Sequence, residues 1–212
     1  MKGILFGAYH SFRDLRLILT SKSLGSPAVK ENKIDIPGAD SAIDLTDFFG
    51  EPKYDDVTHK FEFSTMVPYA EFPSLFSQVK NAIHGKRLKI ILDDDPAFFY
   101  WGRCKVSAFT SSKNIGAVSV ECDCEPYKYK IGKTFVSYTI SGTQSISLTN
   151  GRKRAVPEIT TTAPMTIAFD NGYVTANAGT FTIPELELVE GENLVTVTGT
   201  GTITFTWQEG DL

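Results

Sequence analysis

The sequence predicts a mainly β protein of two domains, the first with one helix packed against a sheet, the second a small β-sandwich or jelly roll. Three observations predict it: strand-length runs of alternating apolar and polar residues, one segment with helical period, and a change of composition past residue 130. Residues 1–130 carry 17 Lys+Arg and 17 Asp+Glu, while residues 131–212 carry 4 and 8, so the net charges are 0 and −4. The later stretch also holds 17 Thr against 5 in the longer first one, and β-branched side chains pack well on a pleated surface. The boundary therefore falls near residues 128–137, giving domains 1–130 and 131–212.

In the first domain the alternating or apolar runs are Lys33-Ile34-Asp35-Ile36, Thr58 to Ser64, Leu88 to Leu92 and Val118 to Cys124. Between them Leu75, Phe76, Val79, Ala82 and Ile83 recur at helical spacing. Pro73 suits the first turn of that helix, and Gly85 stands where a left-handed residue would end it. In the second domain Asp170-Asn171-Gly172 joins Met165–Phe169 to Tyr173–Ala176 as a hairpin, since Asn-Gly supplies the positive φ that a tight turn requires. Phe181–Ile183, Leu194–Thr198 and Thr202–Trp207 complete a set of short strands, with no helix among them.

Composition excludes several functions. A 42% hydrophobic content supplies packed cores, but no run approaches the ~20 apolar residues of a membrane span. The N-terminal apolar stretch is too short for a secretory leader, so synthesis in the cytoplasm without a signal peptide is expected. A net charge of −4 is the wrong sign for gripping phosphates, and no sequence-specific nucleic-acid binding or membrane partner is expected.

The candidate chemical motifs each have a plainer explanation. Cys122-X-Cys124 is too closely spaced for a zinc pair, and in a strand both sulfurs point to one face, so two small core side chains explain them. Asp93-Asp94-Asp95-Pro96 lacks the pattern of a calcium loop and reads as a turn between strands. His10, His59 and His84 are candidate bases, but neither a G-x-S-x-G elbow nor an H-E-x-x-H helix accompanies them. His59 in its strand and His84 at its helix end are expected at surface or capping positions. Arg152-Lys153-Arg154 reads as a solvated loop. No enzyme, cofactor or metal is expected; a sugar hydrolase would need a carboxylate pair that no spacing selects.

An ordered set of segments does point to a family. Met1-Lys2-Gly3-Ile4-Leu5-Phe6-Gly7-Ala8-Tyr9-His10-Ser11-Phe12, then Ile36-Pro37-Gly38-Ala39-Asp40 and Leu45-Thr46, resembles the N-terminal signature of siphophage distal tail proteins. The succession continues through Phe61-Glu62-Phe63, Ile83-His84-Gly85-Lys86, Asp93 to Pro96 leading into Phe99-Tyr100-Trp101-Gly102-Arg103, and Cys124-Glu125-Pro126-Tyr127-Lys128. The resemblance covers residues 1 to about 130. It implies an N-terminal β-sandwich-like domain with one α-helix that closes into a hexameric ring, plus a galectin-like or carbohydrate-binding-module-like C-terminal sandwich.

Such a ring is the hub of a virion tail tip or baseplate, in a phage or prophage. Its implied partners are further copies of the chain, the tail tube protein, the tail-tip or tail-associated protein and a receptor-binding protein. Pro37, Gly38, Phe48, Phe49, Asp94 and Asp95 are the expected subunit-interface residues, because their loops carry exposed Phe and turn residues. The alternative function is a carbohydrate-binding module or adhesin acting through the second domain. Trp207 is its obvious sugar platform, yet alternation in Thr202–Trp207 puts that ring with Ile203 and Phe205 on the apolar face, where burial is expected.

Overall fold

The computed structural model describes residues 2–48, 50–112, 115–170 and 172–212. It divides into two compact units, Met1–Pro126 and Tyr127–Leu212. The first holds β1 (Ile4–Phe6), β2 (Tyr9–His10), β3 (Ile18–Ser23), β4 (Lys33–Ile34), β5 (Ile43–Asp44), β6 (Val57–Thr65), α1 (Phe72–Ile83), β7 (Arg87–Leu92), β8 (Phe98–Ser112) and most of β9 (Ile115–Lys130). All but β4 and β5 of these strands lie in one sheet, in the order β2-β1-β7-β8-β9-β6-β3.

Alternation builds this sheet. In β6 every second residue from Val57 to Thr65 is buried, and the antiparallel register sets Phe61 against Val120 and Phe63 against Val118 of β9. Phe6 meets the rings of Phe61 and Phe63 edge-on, with centroids 6.1 and 6.2 Å away. Helix α1 buries Phe72, Leu75, Val79, Ala82 and Ile83 in the same core. Pro73 lies in its first turn, and Gly85 follows it with φ +75°, the left-handed conformation that closes a helix without a Cβ clash. Asp93 to Pro96 form the turn from β7 to β8.

The second unit is all strand and turn: β10 (Thr134–Asn150), β11 (Glu158–Thr161), β12 (Met165–Phe169), β13 (Gly172–Ala176), β14 (Gly179–Thr182), β15 (Gly191–Trp207) and β16 (Gly210–Asp211). The expected β12–β13 hairpin is present, with Phe169 opposite Gly172; Asn171, in its turn, lies outside the described residues. Leu194–Thr198 and Thr202–Trp207, read from sequence as two strands, are halves of the single strand β15. It pairs with β10 along its whole length, from Thr134 opposite Trp207 to Asn150 opposite Gly191.

Glycines occupy the middle of that ribbon. Gly142 faces Gly199, Ile140 faces Gly201, and all three glycines have positive φ, at +88°, +155° and +142°. On its other edge β15 takes β12 before the glycines and β11 after them. One sheet thus supplies two layers, which bury Ile140, Ile146, Leu148, Val195, Val197, Ile203, Phe205 and Trp207 in a common core. The outward face is held by hydroxyl pairs across strands, Ser137 with Thr204 at 2.9 Å, Thr143 with Thr198 at 3.0 Å and Thr166 with Thr175 at 2.9 Å. This is where the threonine excess is used.

β9 continues through Pro126 to Lys130, where Lys128 and Tyr129 pair with Asp211 and Gly210 of β16. Lys130 Nζ and the Thr134 hydroxyl both bond the buried carboxylate of Glu209, the former at 2.7 Å.

Candidate functional site

All three histidines are engaged by the backbone. His10 Nδ1 accepts the amides of Phe12 and Arg13 at 3.1 and 3.2 Å, and its Nε2 lies 3.0 Å from Asp93 Oδ2. His59 Nδ1 accepts the Gly25 amide at 3.2 Å, and His84 Nδ1 accepts the Val106 amide at 3.1 Å. An imidazole accepting at Nδ1 carries its proton on Nε2 and is a donor there. In each ring the lone pair a general base would use is therefore already taken. Their shared role is to satisfy backbone amides that have no partner in a strand ladder.

The surface position expected for His59 was wrong. The side chain is 2% exposed, and its ring stands edge-on to Tyr100 with centroids 4.5 Å apart. Burial pushes its pKa below the usual value. The signal was in the sequence, since Val57, Phe61 and Phe63 place the odd-numbered side chains of β6 inside. His84 is exposed at the end of α1, close to its expected capping position.

The Asp93–Asp95 cluster turns inward on its own chain. Asp93 Oδ2 accepts the Gly3 amide at 2.7 Å as well as the His10 bond. Desolvation works against this carboxylate, but those two hydrogen bonds outweigh it and hold its pKa below the usual range. Asp94 forms an ion pair with Lys22, which lowers its pKa as well, chiefly through that hydrogen bond. Asp95 closes the turn, its amide donating to the Leu92 carbonyl at 3.0 Å. Cys104, Cys122 and Cys124 are all buried within the first core.

A different feature dominates the first unit. Residues 24–56 connect β3 to β6 as an arm, and among its described residues none is buried. Backbone bonds hold it in shape: β4 pairs with β5, the Lys30 amide donates to the Lys53 carbonyl at 2.8 Å, and Asp55 donates to Ala28 at 2.9 Å. At its tip Ala39 donates to the Ile36 carbonyl at 3.1 Å, with Gly38 at φ +87°. That is a type II turn with Pro37 and Gly38 in the two positions that suit them. The arm nevertheless presents Val29, Ile34, Ile36 and Ile43 to solvent, and Phe48 is 70% exposed. It carries 3 Lys against 8 Asp+Glu, a net charge of −5. Of the expected interface residues, Pro37, Gly38 and Phe48 lie on this arm, Asp94 and Asp95 lie in the β7–β8 turn, and Phe49 lies outside the described residues.

Each unit also has a concavity on its surface. In the first unit Tyr69, Phe72, Pro73, Phe76 and Phe109 line an aromatic groove of about 380 Å³ beside α1, with Phe76 and Phe109 stacked at 4.6 Å. In the second, a cleft of about 480 Å³ is rimmed by Asp170, Glu185, Glu187 and Glu192, with Arg154 bonded to Glu187 at 2.9 Å. Trp207 reaches neither, being 2% exposed.

No protein-family model matches the chain, and no curated protein matches it. A solved structure does. The crystal structure of the SPP1 Dit protein (gp 19.1), described as a paradigm of the hub adsorption apparatus in phages infecting Gram-positive bacteria, superposes with a TM-score of 0.74 over 100% of both chains. The chain has the Dit fold. Identity to SPP1 Dit is 12%, so the likeness is carried by the order and pairing of elements and not by shared side chains. It extends over the second unit, where the sequence offered no motif. The fold class read from the sequence, mainly β with one helix and a C-terminal sandwich, is the one observed.

Proposed function

We propose that this protein is a structural component of a phage or prophage tail tip, assembling as a hexameric ring that links the tail tube to the tail-tip protein and host-adhesion apparatus. The observation that carries the reading is end-to-end correspondence with SPP1 Dit, both units included. The arm supports it independently. Its described residues hold together by backbone ladders, yet none of them is buried, which suits a segment whose apolar residues are covered by another subunit. Pro37, Gly38, Phe48 and Phe49 are the contacts we assign to that interface, with Asp94 and Asp95 beside it. Cyclic closure consumes such a head-to-tail surface completely.

The adhesin alternative loses its most obvious residue, because Trp207 is inside the sandwich core and cannot stack on a sugar. Glycan arrays probed with the intact chain are expected to give no specific signal. The ring itself is tested by mass measurement in solution and by imaging of assembled tails, where six copies are expected. A stable ring of another symmetry in those tails would sink the proposal.

A further inference from the structure

Three thiols meet in the first core, and two of them almost touch. Cys104 on β8 and Cys122 on β9, neighbouring strands of the sheet, bring their sulfurs to 3.2 Å, with both side chains fully buried. A disulfide bond is about 2.05 Å long, so closing the pair needs a movement of roughly an ångström, within the reach of side-chain rotation. Cys124 sits two residues further along the same face, above Gly102, where any Cβ would collide with its sulfur. The third thiol thus has its own space. The surrounding core is otherwise aliphatic and aromatic, with His59 opposite Cys122 on β6.

We propose that Cys104 and Cys122 form a modification site, closing to a disulfide when the folded protein meets a small diffusible peroxide while Cys124 stays a thiol. One sulfur of the pair attacks a peroxide oxygen; an S–O bond forms, the O–O bond breaks, and the departing hydroxide takes up the thiol proton as water. The second sulfur then attacks the sulfenic sulfur; the S–S bond forms, the S–O bond breaks, and hydroxide leaves with the second thiol proton as another water. Two thiols and one hydrogen peroxide give one disulfide and two waters, each cysteine having lost one electron.

Hydrogen peroxide is close to water in size and reaches a buried pair through local opening of β8 and β9. Reaction in the closed sheet is slow, because thiolate is scarce there. The hydrogen bond with Cys104, then burial, drive the Cys122 pKa upward, and burial pushes Cys124 up to about 12. The site is therefore a lasting response to an oxidising surrounding and not a fast sensor. It does not depend on the tail-tip reading, and either can fail without the other.

The experiment exposes the intact chain to hydrogen peroxide, quenches with acid, alkylates the remaining thiols in denaturant and maps the peptides by mass spectrometry. The expected product has lost two hydrogens, carries a linked Cys104–Cys122 peptide and is alkylated at Cys124. Urea below the unfolding transition should speed its formation, with opening of β8 and β9 followed by amide exchange. Cys124→Ala should keep the product, and Cys122→Ala should lose it. Three alkylated thiols after exposure, under conditions where the strands open, would overturn the proposal. So would a dominant bridge through Cys124 or sulfinic acid in place of a bridge. The wild-type map decides these outcomes even if a variant fails to fold.

Discussion

The arm of residues 24–56 and the ribbon of β10 with β15 are both held by backbone ladders, yet among the described residues only the ribbon has buried side chains. In the ribbon, strict alternation sends Ile203, Phe205 and Trp207 inward and Thr202, Thr204 and Thr206 outward, so the segment carries its own share of a core. In the arm, Ile34 pairs with Ile43 in register and both remain exposed, so the pattern has no inside to point to. A ladder fixes shape, but the net worth of each intramolecular hydrogen bond is only about 1 kcal/mol. Hydrophobic burial supplies most of the rest, and the interface proposed for the arm is where that burial would come from.

The contrast can be broken most strongly in the ribbon. Trp207→Ala removes a fully buried aromatic and should cost ~3–5 kcal/mol, read as a shift of the urea midpoint; a loss below about 1 kcal/mol would mean that the ring does not close the sandwich core. Gly142→Val tests the bend. No atom lies within 4 Å of a Cβ placed there, so the expected loss of ~1–3 kcal/mol is backbone strain at positive φ alone. An unchanged midpoint would show that the ribbon bends without its glycines.

Acid probes the first core. His59 binds its proton less readily folded than unfolded, so its contribution is fully present above the unfolded pKa of ~6.5 and declines as pH falls below that value toward the folded pKa. Unfolding followed from pH 8 to pH 5 should show stability falling with acid, and His59→Gln should flatten that slope. A slope that survives the substitution would assign it to other groups.

The smallest effect on stability is expected in the arm. Phe48→Ser should change the unfolding free energy of the separate chain by no more than about 0.5 kcal/mol, while lowering the fraction assembled into rings. If Phe48→Ser unfolds the subunit instead, the arm belongs to the subunit's own core and the contrast drawn with the ribbon is wrong.

Much of this is legible in the sequence, and what is not has separate causes. Helix α1 announced itself through Leu75, Val79 and Ile83 with Pro73 and Gly85 at its ends, and the β12–β13 hairpin through its turn residues. The length of β15 did not, because Gly199 and Gly201 look like a break when the strand is read alone. Only the register with Gly142 and Ile140 on β10 shows that the pairing runs through them without a break, and that register depends on residues more than fifty positions away. His59 goes inside because the alternation from Val57 to Thr65 outweighs the surface preference of its residue type. The arm's short hairpin was visible only as Lys33–Ile36; its lack of burial is a tertiary fact that no local pattern encodes.

The central place of β15 also sets the timetable of synthesis. β10, β11 and β12 all pair with this strand, and its residues follow theirs in the chain. On the ribosome β10 waits while the forty residues 151–190 are made before the first of its partners, Gly191, exists. Once β9 has emerged, every strand of the first sheet except the short β16 has been made. The chain is therefore born in two stages, a folded first unit trailing an unpaired, sparsely charged, β-prone segment until β15 arrives. That interval is when association between nascent chains is most dangerous.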